Sequence, residues 1–430
     1  MKKYDNYKDS GVEWIGEIPE HWILKKIKHT TYVKGRIGWK GLRSDEFLEL
    51  SDSYVVTGTD FENGKIKWKT CYQVPIDRYE DDPFIKLMEG DLLITKDGTI
   101  GKIAVVKDMP KIATLNSGVF LTRPYNSEYS QEFMYWILFS EVFKTFYDYN
   151  KSGSTIQHLY QNVFNEFDYM LPPFEEQTAI AHYLDHKTTQ IDTLIFKKQQ
   201  FITLLQEERT AIINQAVTKG LDPKVKMKDS GIEWLGEIPE HWEVKKLAFE
   251  FNTLNTKRVP LSAEERGKME SRIYDYYGAS GVIDKVENYI FDEELILIGE
   301  DGANLLTRTK RLAFIASGRY WVNNHAHIIK PIYGNIYYFC ELLELIDYTI
   351  YISGSAQPKL TQEALMSIKI PVPPISEQNK IFDYLKDEFN KIDTIISKSQ
   401  QEIELLKEYK TALISEVVTG KVDVRDEVLN

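Results

Sequence analysis

The sequence predicts an α+β protein: two mixed α/β bodies joined by two long antiparallel helices forming a coiled-coil spacer, with an internal pseudo-two-fold repeat. Three observations predict it. A motif near the N-terminus recurs at mid-chain, a long helical segment led by Pro-Pro follows each copy, and the intervening stretches carry short strand patterns closed by Asp-Gly turns. Internal repeats are read first because they decide the architecture.

The motif runs from Lys8 to Trp22 as KDSGVEWIGEIPEHW and returns from Lys228 to Trp242 as KDSGIEWLGEIPEHW; only Val12/Ile232 and Ile15/Leu235 differ. A second pair lies downstream, Leu171-Pro172-Pro173-Phe174-Glu175-Glu176-Gln177 answering Val372-Pro373-Pro374-Ile375-Ser376-Glu377-Gln378. Gly153-Ser154 and Gly354-Ser355 correspond, as do Ile191-Asp192-Thr193 and Ile392-Asp393-Thr394. Between these signatures the halves diverge. The repeating unit is a fixed entry motif, a variable body and a fixed helical exit.

After each Pro-Pro no Gly or Pro appears until Gly220 or Gly420. Leu184, Ile191, Leu205 and Ile212 fall at multiples of seven, with Ile180, Leu194 and Phe201 as a second row. Leu385, Ile392, Leu406 and Leu413 repeat the seam, supported by Ile381 and Ile395. This is a helical period with a coiled-coil stripe. Each helix could pack on its own body alone; matched stripes favour pairing of the two, antiparallel if a two-fold relates the units. The division is 1–172 for the first body, 173–220 for the first helix, 221–373 for the second body, 374–420 for the second helix and 421–430 for a C-terminal tail.

In the bodies, 91–95 and 294–298 read as buried strands, each followed by an Asp-Gly turn (Asp97-Gly98, Asp301-Gly302) and a second apolar run (103–106, 312–315). Polar loops with Asn116-Ser117-Gly118 and Asn323-Asn324-His325 follow, then helices over 131–148 and about 335–347. A last loop carries Ser154, Thr155 and Gln157, matched by Ser355 and Gln357-Pro358-Lys359.

Composition bounds the function. The net charge of −12 is unlike that of a uniformly basic nucleic-acid binder. The surplus acid sits mostly outside the bodies: residues 23–170 hold 19 basic against 20 acidic side chains, 243–370 hold 15 against 17, and 375–430 hold 8 against 12. Two near-neutral bodies can each present a basic face. The two cysteines, Cys71 and Cys340, form no disulfide framework or zinc motif and suit a reducing cytosol. No apolar run reaches the ~18 residues of a membrane span, and MKKYDNYKDSG lacks the apolar stretch of a signal peptide.

Catalytic motifs are missing. Leu171-Pro172-Pro173-Phe174 has leucine where an amino-methyltransferase needs Asn or Asp. Gly98-Thr99-Ile100-Gly101-Lys102 lacks phosphate-loop spacing, with Ile103 where a Ser/Thr hydroxyl should stand. His325 and His327 could ligate a metal only with further Cys or His nearby, and none is evident. The Pro-Pro pairs read as joints and the glycine loop as a tight turn.

The duplicated DSGxEWxGEIPEHW entry, the PPxxEQ helix start and the two divergent bodies together resemble the specificity (S) subunit of type I restriction-modification enzymes, over essentially the whole chain. The resemblance implies a non-enzymatic, cytoplasmic subunit whose bodies are target-recognition domains, each reading half of a bipartite site in double-stranded DNA. It implies helices that set the spacing and dock two methyltransferase subunits, with restriction subunits as further partners. S-adenosylmethionine, ATP and Mg would belong to those partners and no cofactor to this chain. Loop side chains able to bond bases and phosphates are the candidate contacts: Lys96, Thr99, Lys102, Asn116, Ser154, Thr155 and Gln157 in the first body, and Arg308, Lys310, Arg311, Asn323, Asn324, His325, Ser355, Gln357 and Lys359 in the second. The rival readings are a coiled-coil protein-interaction scaffold, a self-sufficient methyltransferase or nuclease, and a specificity subunit without an active methylase partner.

Overall fold

A computed structural model of the protein describes residues 2–36, 41–150, 158–354 and 357–427. The chain divides into two compact units, Met1–Lys198 with Gln401–Asn430, and Gln199–Gln400. Both long helices, Phe174–Lys219 and Ile375–Val418, contribute to both units.

The near-identity of the entry motifs has a structural cause, because each copy folds into the same small hairpin. Tyr7–Asp9 pairs antiparallel with Glu17–Pro19, and Met227–Asp229 with Glu237–Pro239. The Asp9 carboxylate accepts from the Gly11 amide and Ser10 N–H donates to the Gly16 carbonyl; Asp229, Gly231, Ser230 and Gly236 repeat both bonds. Gly11 and Gly16 both hold positive φ (73° and 70°), where a side chain would be strained. Trp22 and Trp242 are fully buried at the hairpin ends.

In the first unit a six-stranded sheet contains Leu92–Thr95 between Ile103–Val105 and Val119–Pro124, with Thr31–Gly35 beside the last. A three-stranded sheet lies apart from it in the hydrogen-bonding pattern. The second unit has two four-stranded sheets. In one, Leu295–Gly299 pairs with Ala313–Ala316 and Ala326–Pro331, and Phe251–Thr253 closes the edge. The apolar runs expected at 91–95, 103–106, 294–298 and 312–315 therefore form adjoining antiparallel strands within each body.

The helix expected over 131–148 is two helices, Gln131–Phe139 and Glu141–Asn150. Ser140 breaks it: its backbone is extended and its hydroxyl donates to the Ile137 carbonyl at 2.7 Å. The helix expected near 335–347 spans Ile336–Leu345, capped by the Asn335 side chain accepting from the Tyr337 and Tyr338 amides.

Within the first unit the two long helices run in opposite directions, since Asp192 pairs with Lys410 at 2.7 Å and Lys198 pairs with Glu402. In the second unit Arg209 pairs with Asp393 at 2.7 Å and stacks on Phe389. Exposed pairs of this kind contribute about 0.2–1 kcal/mol; buried apolar side chains contribute more. Ile180, Leu184, Ile191, Leu413, Ile414 and Val417 join the core of the first body, and Ala216, Val217, Ile381 and Leu385 that of the second. The helical segments thus pair with each other and also pack on a body. The supporting row fares differently: Ile180 and Ile381 are buried, but Leu194, Phe201 and Ile395 are exposed. A helix pair covers one seam, and a second stripe is covered only where a body lies against it.

Candidate nucleic-acid interface

The fixed motifs act as joints. In the first unit Glu176 accepts from Trp22 Nε1 (2.9 Å) and Tyr4 Oη (3.1 Å), and its other oxygen meets His21 Nε2 at 2.7 Å. In the second, Glu377 meets His241 Nε2 at 2.7 Å. Gln177 accepts from the Ser130 amide and donates to the Pro172 carbonyl; Gln378 does the same with Asn335 and Pro373. The Glu-Gln pair after each Pro-Pro therefore ties the entry hairpin and the body to the start of its helix. At the helix exits, Gly220 lies against Trp242 and Pro239, and Gly420 against Pro19 and Trp22. The last residues are also held, as Val422 and Val424 are buried and the Asp423 amide donates to the Lys2 carbonyl.

On this shared frame each body brings three segments together at one end of its central strand. In the first body Lys96 N–H donates to the Gly118 carbonyl, and Leu159 N–H to that of Lys96, both at 2.9 Å. The 96–102 turn is pinned by Thr95, whose hydroxyl donates to the Thr99 carbonyl (2.6 Å) and accepts from the Lys102 amide (2.9 Å). Gly98 and Gly101 hold positive φ there, and the Gly101 and Lys102 amides are both spent on Thr95, as in a tight turn. Lys96, Thr99, Lys102 and Asn116 thus lie in one cluster, with Lys96 Nζ over the Phe120 ring. Asp97 and His158 are also brought here, Nδ1 to Oδ1 at 2.6 Å. Ser154, Thr155 and Gln157 lie outside the described residues.

The second body repeats this arrangement with other side chains. Glu300 N–H donates to the His325 carbonyl, Leu360 N–H to that of Glu300, and Gly302 N–H to that of Pro358. Asn323, Asn324, His325, Gln357 and Lys359 converge on this point, and Asp301 holds His325 Nδ1 at 2.8 Å. Asn323 is itself buried and accepts from the His325 amide. Ser355 lies outside the described residues.

Two predicted residues are committed elsewhere. Arg308 donates to the carbonyls of Glu344 and Ile346, closing the C-terminal end of the 336–345 helix. Arg311 pairs with Glu341 on the same helix at 2.9 Å. Lys310, between them, is exposed and makes no ion pair among the described residues.

Beneath the second cluster lies a buried polar network. His327 donates from Nε2 to the Leu360 carbonyl (2.7 Å) and accepts at Nδ1 from Asn255 (2.9 Å), so the imidazole is neutral. Burial pushes it below its ordinary value. Burial opposes the Glu300 carboxylate, but hydrogen bonds from Arg258 and Lys359 outweigh it and hold its carboxyl below the usual range. His327 is a satisfied core histidine, and the described residues contain no cluster of three or more potential metal ligands. Both cysteines are buried, which pushes their thiols up to about 12 and makes them poor nucleophiles. Among the described residues no helix is long and apolar enough to cross a membrane.

Sequence reasoning missed Asp97, Asp301 and His158. The Asp-Gly turns were visible, but their aspartates read as turn residues, and His158 lay one position beyond the loop singled out. Glu176, Gln177, Glu377 and Gln378 stood in the repeat, yet nothing local tells a joint from a contact.

Two bodies that share a frame and differ in their loop side chains define a duplicated recognition protein. The chain belongs to the type I restriction modification DNA specificity domain family, whose pattern matches residues 39–203 and 239–405. It is a non-catalytic, DNA target-recognition subunit of that class. It is similar to the type I restriction enzyme MjaVIII specificity subunit of Methanocaldococcus jannaschii, 25% identical over 435 residues and 95% of each chain. The HsdS subunit from Thermoanaerobacter tengcongensis shares the fold at 14% identity, with a TM-score of 0.56 over 94% of this chain and 98% of that one. A chain from a structural study of complex assembly and conformational transition of the type I R-M system gives a TM-score of 0.65, also at 14% identity, covering 94% and 99%.

Proposed function

We propose that each body reads one half of an asymmetric, two-part sequence in duplex DNA, that the two long helices set the gap between the halves, and that the helices dock methyltransferase subunits, two per chain. The observation that carries this is the pair of equivalent loop clusters on one repeated frame. The joints around Glu176/Gln177 and Glu377/Gln378 are kept, while the cluster changes from Lys96, Thr99, Lys102 and Asn116 to Asn323, Asn324, His325 and Lys359. One frame with two sets of side chains suits two different half-sites. Helices of 46 and 44 residues are about 69 and 66 Å long at 1.5 Å per residue, a stiff spacer.

Exposed apolar side chains on the helices support a docking role: Leu194, Phe196, Leu405 and Tyr409 in the first unit, Phe201 and Leu204 in the second. S-adenosylmethionine, ATP and Mg would be held by methyltransferase and restriction subunits in the cytoplasm, and the methyltransferase would act on a base flipped from the duplex. The test is binding of the chain, with its methyltransferase subunit, to randomised duplexes at rising salt. The expected result is an affinity that falls steeply with salt and a selected motif of two short runs around a fixed gap. Salt-insensitive binding, or one continuous motif, would overturn the proposal.

A further inference from the structure

The two Asp–His pairs at the loop clusters have no evident structural task. Each is surface-exposed, with the His158 and His325 side chains 40% and 51% accessible. Pairs so exposed contribute little to stability. Yet both bodies have one at the same place, on the aspartate of the Asp-Gly turn ending the central strand. The histidines come from different parts of the chain. His158 forms a backbone bridge with Asp97. In the second body Lys359 takes that bridge position beside Asp301 and turns to Glu300, and the imidazole is supplied by His325 from the loop between Arg319–Val322 and Ala326–Pro331. Two diverged bodies thus arrive at one arrangement by two routes.

The geometry fixes each ring through one nitrogen and leaves the other facing outward. In both pairs the carboxylate takes Nδ1, and Nε2, on the far side of the ring, has no partner among the described residues. The His325 amide is fixed by Asn323, and the His158 ring lies 5.9 Å from that of Tyr160. Lys96 and Lys102 belong to the same turn as Asp97, and Lys359 bridges Asp301 through its backbone.

Resting on the reading of these bodies as DNA readers, we propose that His158 and His325, as imidazolium ions that give Nδ1–H to their aspartates, each donate from Nε2 to an acceptor on DNA, one per half-site, and that Asp97 and Asp301 are positioning residues that orient the rings. The shared acceptor chemistry is an oxygen or nitrogen lone pair, carried by a phosphate or by the O6/N7 edge of guanine.

The experiment uses the full chain complexed with its methyltransferase subunit, the selected wild-type duplex and single-base variants of it. His158→Ala and His325→Ala are each expected to weaken binding about ten-fold, the order for a hydrogen bond involving a charged group. A guanine contact relaxes the motif at one position of one half-site. A phosphate contact weakens all sequences alike and lowers the salt slope by about 1. Asp97→Asn and Asp301→Asn should give the same signature in the same half-site as their histidine partners, which general destabilisation would not. If both histidine variants, folded by thermal melting, keep wild-type affinity, motif and salt slope, the proposal is overturned. If the wild-type complex shows no salt-sensitive binding and no split motif, the DNA-reading proposal falls first and this one with it.

Discussion

Gly420 and Gly220 occupy equivalent positions at the ends of the two long helices, yet substituting them should have unequal consequences. Both are left-handed, with φ of 71° and 76°, so alanine costs about 1–2 kcal/mol at either from conformation alone. Their surroundings differ. A Cβ on Gly420 would stand 2.4 Å from Pro19 Cδ and 3.0 Å from the Trp22 ring, whereas one on Gly220 meets Glu377 Oε1 at 3.1 Å and Trp242 at 3.3 Å. A proline ring locked in the entry hairpin cannot yield as a carboxylate tip can, and overpacking of this kind adds about 1–3 kcal/mol. Gly420→Ala should therefore cost about 2–5 kcal/mol and Gly220→Ala about 1–2. At roughly 2–4 °C per kcal/mol for a unit of this size, calorimetry should show Gly420→Ala lowering one transition by about 5–15 °C, well beyond Gly220→Ala. Equal shifts would refute the claim that the second helix ends against the first entry hairpin.

The paired tryptophans should also differ. Trp22 donates to a buried carboxylate, whereas Trp242 Nε1 is buried without a partner among the described residues, so Trp22→Phe should cost about 1.5 kcal/mol more than Trp242→Phe, measured by denaturant unfolding. His327 is depressed below 6.5 in the folded state. Its contribution is therefore fully present above pH 6.5 and is lost as pH falls through the lower folded value, because the unfolded chain takes up the proton first. The melting temperature of the wild type should drop more than that of His327→Gln between pH 7 and 5, and parallel curves would contradict this. Arg308→Ala should destabilise by about 1–2 kcal/mol through the lost bonds to the 344 and 346 carbonyls and leave the DNA motif unchanged. Lys310→Gln should leave stability within about 0.5 kcal/mol and lower the salt slope of DNA binding by about 1.

Much of the architecture was legible because it is written in repetition and period. The entry motif, the Pro-Pro starts and the seam through Leu184, Ile191, Leu385 and Ile392 are local patterns, and the structure buries all four of these residues. The partnerships were not legible. Glu176 meets Trp22, Tyr4 and His21 across most of the first body, and the second helix returns to the N-terminal hairpin at Gly420; such contacts leave no spacing signal. The same limit divided the basic candidates. Arg308 and Arg311 look like loop cations in sequence but are spent on the 336–345 helix, while Lys96 and Lys102 share a cluster. Ser140 broke a helix whose apolar pattern continues straight through it.

The most direct test of the account is sequencing of methylated bases in DNA from cells expressing this chain with its methyltransferase subunit, against cells expressing the methyltransferase alone. Two bodies reading two half-sites predict a new split motif, two short specified runs separated by a constant unspecified gap. Methylation at one continuous motif, or none beyond the control despite a stable complex, would contradict it.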